Sequence, residues 1–203
     1  DLSDSDTAEQ LIQLAEAGKL NTVIVNIKDD EGELNIPVET DMVSDVEDLQ
    51  AKKAEKLAQN MRELSKNGVH VIGRIYCFQD EAASKQNSDL SMEYQNGGRW
   101  SDYNSEHWLD PTNPDVVTYL CDIAQSAVDA GCDEILLDEF TFPLRGHIDR
   151  IEFFNEPDSQ AAALLDVMQE IQNTVGDSVA VSLTASDASE LVTQSETAAE
   201  DGV

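Results

Sequence analysis

Apolar residues recur along this chain with two alternating periods, and the alternation predicts the fold class. Ala8, Leu11, Ile12, Leu14 and Ala15 fall at helical spacing, so a short helix is expected over Thr7–Ala17, with Asp6 as N-cap and Gly18 as its stop. Thr22–Lys28 (TVIVNIK) is instead a β-branched run, apolar on both sides, as in a buried parallel strand. The helical period returns from about Asp45 to Asn67, with Leu49, Lys53, Leu57, Met61 and Leu64 on one stripe. A second strand follows over Val69–Phe78. Next come a helix over Asp115–Ala130, a strand over Glu134–Phe140, a helix over Ala161–Thr174 and a strand over Val179–Ala185. Residues 81–110 carry no sustained period, and a loop of that length in a compact domain is expected to have a function.

Strands alternating with helices of ten or more residues predict an α/β fold with a parallel sheet. Four strands are visible where a closed (β/α) barrel has eight. The expectation is therefore a partial or truncated TIM-type barrel, with residues 1–203 as a single domain forming the N-terminal part of a longer barrel.

Composition narrows the partners. Twelve Lys+Arg face 42 Asp+Glu in 203 residues, a formal net charge of −30. A duplex-binding surface needs clustered basic residues, so nucleic acid is not expected. No window approaches the ~18 apolar residues of a membrane span. Cys77, Cys121 and Cys132 are odd in number and unclustered, which reads as free thiols. The pattern fixes no oligomeric state.

In a parallel α/β sheet, ligands bind at the carboxyl ends of the strands. Here those ends carry Lys28-Asp29-Asp30, then Arg74, Tyr76 and Asp80, then Asp138-Glu139, then Ser182, Thr184 and Asp187. Period two puts Asn26 with Lys28 on one face and Arg74 with Tyr76 on another. Asp138 reads either as a catalytic carboxylate or as the partner of Arg74. Trp100, Tyr103 and Trp108 could stack on sugar rings or pack the long loop. The string ILLDEF lacks the accompanying phosphate-binding loop of a P-loop ATPase. His70, His107 and His147 lack zinc spacing, and no calcium loop is present, so no cofactor is expected.

The strings NTVIVNIKDDEGEL, GVHVIGRIYCFQDEAA and WLDPTNPDVVTYLCDIAQSAVDAGCDEILLDEFTFP carry KDD-G, I-x-R-x-x-x-F-x-D, W-L-D-P and D-x-x-x-F-P motifs in order. Over residues 8–186 the chain resembles a bacterial glycoside hydrolase family of TIM-barrel type, long catalogued as a domain of unknown function. The resemblance implies sugar hydrolysis and an extracellular or cell-surface location in a bacterium. Glu139 stands where the family has an aromatic, and Thr141 where it has Arg.

With the two-carboxylate chemistry of glycosidases, the resemblance makes Asp138 the nucleophile or base and Asp80, Asp110 or Glu139 the acid. Lys28, Asp29, Asp30, Arg74, Tyr76, Trp100, Trp108 and Phe142 are the expected substrate contacts, with a carbohydrate as substrate. Two rival expectations are a non-catalytic carbohydrate-binding barrel and a Mg²⁺-dependent barrel enzyme using Asp29, Asp138 and Glu139.

Overall fold

A computed structural model describes residues 2–43, 48–189 and 191–192. The expected helix start near Asp45 therefore falls outside the described residues.

The first helix, α1 (Ser5–Glu16), begins two residues before the predicted start. Asp4 rather than Asp6 caps it, accepting from the N–H groups of Asp6 and Thr7. Strand β1 (Thr22–Lys28), helix α2 (Asp48–Lys66) and strand β2 (His70–Tyr76) follow. The long loop contains a short helix α3 (Glu81–Gln86), a 3-10 turn and the two-residue strand β3 (Glu93–Tyr94). Helix α4 (Pro114–Asp129) starts where Asn113 caps and Pro114 occupies the first turn, a position that needs no N–H. Strand β4 (Glu134–Asp138), the short strand β5 (Ile151–Glu152), helix α5 (Gln160–Val175) and strand β6 (Ala180–Leu183) complete the described elements.

Four strands form one sheet in the order β1-β2-β4-β6, and every pairing in it is parallel. This is the expected α/β, barrel-type arrangement, left open rather than closed into a ring. Helices α2, α4 and α5 lie against the sheet, and Val25, Ile27, Val71, Ile75, Ile135 and Leu137 form its buried face. The opposite face carries Ile24, Asn26, Ile72, Arg74, Tyr76, Leu136, Asp138 and Ser182. These residues are half-buried, apart from Ile24 at 58 % exposed. In a closed barrel that face would look inward.

Register breaks at one place that matters for the site. Asn26 pairs with Arg74, but Lys28 pairs with Ile75, so β1 carries an irregularity between Asn26 and Lys28. An extra residue in a strand reverses the faces of those that follow. Lys28 therefore does not share the face of Asn26, as strict alternation predicts. It turns toward the helix layer, where its Nζ lies 5.7 Å from the Tyr119 ring centroid.

Candidate active site

The carboxyl ends of β1, β2, β4 and β6 meet at one edge of the sheet, and the expected site residues divide there into two groups. One group is enclosed. Lys28 donates to Asp80 at 2.5 Å and to the Cys77 carbonyl at 3.1 Å, and neither charged side chain is exposed. Asp80 also accepts from the Ala83 N–H as cap of α3, and its carboxylate bonds with Tyr119. Burial pushes the Asp80 carboxyl up, against the opposing pull of Lys28. Asp29 closes the turn that follows β1, accepting from the N–H groups of Glu31 at 3.1 Å and Glu33 at 2.9 Å.

Asp110 is likewise an internal anchor. It accepts from the Thr112 N–H and hydroxyl at 2.8 and 2.7 Å and from the Phe154 N–H at 2.7 Å, tying the W-L-D-P loop to the segment after β5. Burial raises its carboxyl, while those hydrogen bonds pull it back. Asp80 and Asp110 thus have their acceptors filled from within, and neither is presented to a ligand.

Of the two readings open for the loop tryptophans, packing is the one the structure shows. Trp100 has no exposed surface and donates from Nε1 to the His147 carbonyl at 3.1 Å. Trp108 is 5 % exposed, and its Nε1 has no partner among the described residues. Phe142 is buried edge-on against Phe153. All three pack the long loop and the segment after β4 onto the body, because the loop folds as a layer of its own and needs a core. Tyr103 is the loop aromatic that remains exposed, at 70 %.

The second group faces solvent from the open side of the sheet. Arg74 donates from Nε to Asn26 Oδ1 at 2.8 Å, its guanidinium carbon lies 5.0 Å from the Tyr76 ring centroid, and its Nη1 is 3.5 Å from Asp138 Oδ2. Three adjacent strands therefore fix one guanidinium, which in turn orients Asp138. Burial is the main cause that raises the Tyr76 hydroxyl, with the Asp138 charge adding and Arg74 opposing. Asp138 is both the partner of Arg74 and an accessible carboxylate, with 17 % of its side chain exposed.

At Glu139 the strand has ended, and the backbone takes φ 47°, in the left-handed region that non-glycine residues rarely adopt. Such strain gathers at functional sites. Glu139 therefore does not continue the alternation onto the opposite face. Its carboxyl is raised chiefly by burial, then by the charges of Asp187 and Asp138 and more weakly by Asp30, with Arg145 opposing. Asp187 is 7 % exposed and accepts from the Thr184 hydroxyl at 2.9 Å and from the Phe140 N–H. Burial raises its carboxyl also, and the Asp138 charge adds to this.

Asn26, Arg145 and Asp187 belong to this cluster although none is among the expected site residues. Asn26 and Asp187 were visible at strand ends, but neither their contacts nor the bend at Glu139 has a sequence signal. Thr141 is buried, and its hydroxyl donates to the Phe142 carbonyl at 3.1 Å.

Chemically, the edge offers an accessible carboxylate held by a guanidinium and, one residue on, a half-buried carboxyl with a raised pKa. Environments that differ for two neighbouring carboxyls are how acid and base roles are divided. Among the described residues no three His, Cys, Asp or Glu side chains group as a metal site would require, so the trio Asp29, Asp138 and Glu139 is not assembled. No described helix is long and apolar enough to cross a membrane.

Among curated proteins none matches this chain. Solved structures do. A hypothetical protein from Ruminiclostridium thermocellum ATCC 27405 aligns over 92 % of this chain and 94 % of its own, with 26 % identity and a TM-score of 0.69. An α-galactosidase from Thermus thermophilus, solved with stachyose, aligns over 88 % of this chain at 13 % identity and a TM-score of 0.58. The GH36 α-galactosidase AgaA A355E from Geobacillus stearothermophilus aligns over 92 % at 16 % identity, also with a TM-score of 0.58. This chain spans 36 % and 26 % of those two enzymes, and at such identities the likeness shows the fold alone. Residues 1–198, nearly the whole chain, match the family described as "Putative glycosyl hydrolase domain", and the chain belongs to that family.

Proposed function

We propose that this protein is a glycoside hydrolase acting on a poly- or oligosaccharide at the carboxyl edge of its parallel sheet. The observation that carries the reading is the accessible Asp138 carboxylate, held by Arg74 across β2 and β4, with the raised carboxyl of Glu139 beside it. Family membership and the fold shared with α-galactosidases support it.

In this reading Glu139 is the general acid. Its proton goes to the glycosidic oxygen as the bond to the anomeric carbon breaks, and burial shifts the carboxyl in the direction a general acid needs. Asp138 is the partner carboxylate, attacking the anomeric carbon or activating the water that does. Arg74 orients Asp138, and Asn26 orients Arg74. The Tyr76 ring lies against the Arg74 guanidinium, and Asp30 is near enough for its charge to raise Glu139. Asp80 and Asp110 are left out of the chemistry, because their carboxylates are closed off by Lys28, Ala83, Thr112 and Phe154.

The test is reducing-sugar release from a panel of plant and bacterial-wall polysaccharides, run with and without a chelator. Release that survives chelation is the expected result. No release from any polysaccharide would overturn the reading, and release abolished by chelation would replace it with a metal-dependent one.

A further inference from the structure

The loop layer holds a second feature that the chemistry above does not use. Strands β3 and β5 pair antiparallel through Glu93↔Glu152 and Tyr94↔Ile151. Tyr94 N–H donates to the Gly98 carbonyl, closing a turn in which Gly97 and Gly98 both have φ 90°. Gln95 then grips the facing segment twice, from its N–H to the Arg150 carbonyl at 3.0 Å and from Nε2 to the Asp149 carbonyl at 3.2 Å. Between these segments lies an open hollow of about 580 Å³, lined by Tyr94, Gln95, Asn96, Gly97, His147 and Arg150.

Its support is rigid. The buried Trp100 holds the His147 carbonyl, and a Cβ at Gly146 would fall 2.5 Å from Trp100 Cζ2, so only glycine lets that backbone lie on the indole. Beside the lining residue His147, Tyr103 stands edge-on to the imidazole at 5.7 Å between centroids.

The lining is unusual for this chain. In a sequence with 42 Asp+Glu against 12 Lys+Arg, no carboxylate side chain lines the hollow. Amides, an imidazole and a guanidinium line it instead, and among the described residues nothing pairs with the guanidinium of Arg150. Gln95 and the Tyr94 hydroxyl are engaged within the fold, which leaves the guanidinium fork of Arg150 as the charged donor facing a ligand, and such a fork suits a carboxylate. The exposed Tyr103 ring, edge-on to His147, offers a flat face of the kind that the C–H face of a sugar requires.

We infer that this hollow is a saccharide subsite that takes an acidic sugar, its carboxylate on Arg150 and its ring against Tyr103 and His147. The ligand class rests on the glycosidase reading, but binding here does not depend on turnover. The net charge opposes an anion at long range, and about 0.15 M salt confines that repulsion to a Debye length of about 8 Å.

The experiment is an amide-NMR titration of the whole chain in such a buffer with trigalacturonate and, separately, cellotriose, using wild type, Arg150→Ala and Tyr103→Ala. Trigalacturonate should shift residues 94–97 and 147–150, Arg150→Ala should weaken its binding about tenfold or more, and cellotriose should bind more weakly. No shift at these residues, shifts unchanged by Arg150→Ala, or cellotriose binding as tightly would each overturn the inference. Binding here without cleavage of any polysaccharide would remove the glycosidase reading and leave the subsite standing, whereas cleavage without binding here would remove the subsite alone.

Discussion

Lys28 Nζ and Asp80 Oδ2 lie 2.5 Å apart with no solvent at either side chain, joining the end of β1 to the cap of α3. Two charges removed from water stabilise the fold only as long as each has the other. Lys28→Met or Asp80→Asn should each cost about 3–5 kcal/mol, and the double variant should lose clearly less than the sum of the two. Urea unfolding of the two single variants and the double variant measures it, and additive losses would show that the pair is not coupled.

Gly32 explains the glycine of the KDD-G motif. A Cβ there would fall 1.9 Å from Asp80 Oδ1, at φ +86°, whereas a Cβ at Gly18, φ +67°, would meet nothing within 4 Å. Gly32→Ala should therefore destabilise by clash and strain together, about 2 kcal/mol or more, and Gly18→Ala by strain alone, about 1 kcal/mol. Thermal melts in which the two variants behaved alike would contradict this account of the motif.

Stability should fall as pH rises from mildly acidic to alkaline. The carboxyls of Asp110, Glu139 and Asp187 are raised in the folded state, each chiefly by burial. The folded chain therefore holds these protons more tightly than the unfolded chain, and the advantage is lost as pH climbs through the folded values. Self-repulsion from a net charge of −30 has the same sign. Glu134, lowered first by the Ser182 hydrogen bond and then by His70, works the other way and limits the gain at the acid end. The urea midpoint should be higher near pH 5 than near pH 8, and a higher midpoint at pH 8 would refute the assignment.

Asp187 should set the alkaline side of the activity profile. Its charge helps hold the proton on Glu139, so Asp187→Asn should lower the Glu139 pKa and move the alkaline fall in kcat to lower pH. Asp138, Arg145 and Asp30 also act on Glu139 and remain in that variant. An unmoved alkaline limb would exclude Glu139 as the acid.

Much of the scaffold was legible before the structure, because the periods of β1, α4, β4 and α5 are strong and their caps have side chains suited to capping. Arg74 and Asp138 could be placed at neighbouring strand ends by the same logic. Lys28 could not be placed correctly, because one irregular residue in β1 reverses its face and leaves no trace in composition. Trp100 and Trp108 left two readings open for a different reason. A 30-residue stretch without periodicity announces no strands, yet it pairs Gln79 with Trp108, Ser91 with Leu109 and β3 with β5, and those pairings bury the indoles. The left-handed turn at Glu139 has no glycine to announce it.

The most direct test of the account is kcat on a cleaved polysaccharide for Asp138→Asn beside wild type, with thermal melts showing that both are folded. Asp138 is the accessible carboxylate that Arg74 holds at the sheet edge, so the account predicts a loss of about 10²–10⁴-fold in the variant with the fold intact. Turnover by the folded variant within about twofold of wild type would contradict it and place the chemistry elsewhere.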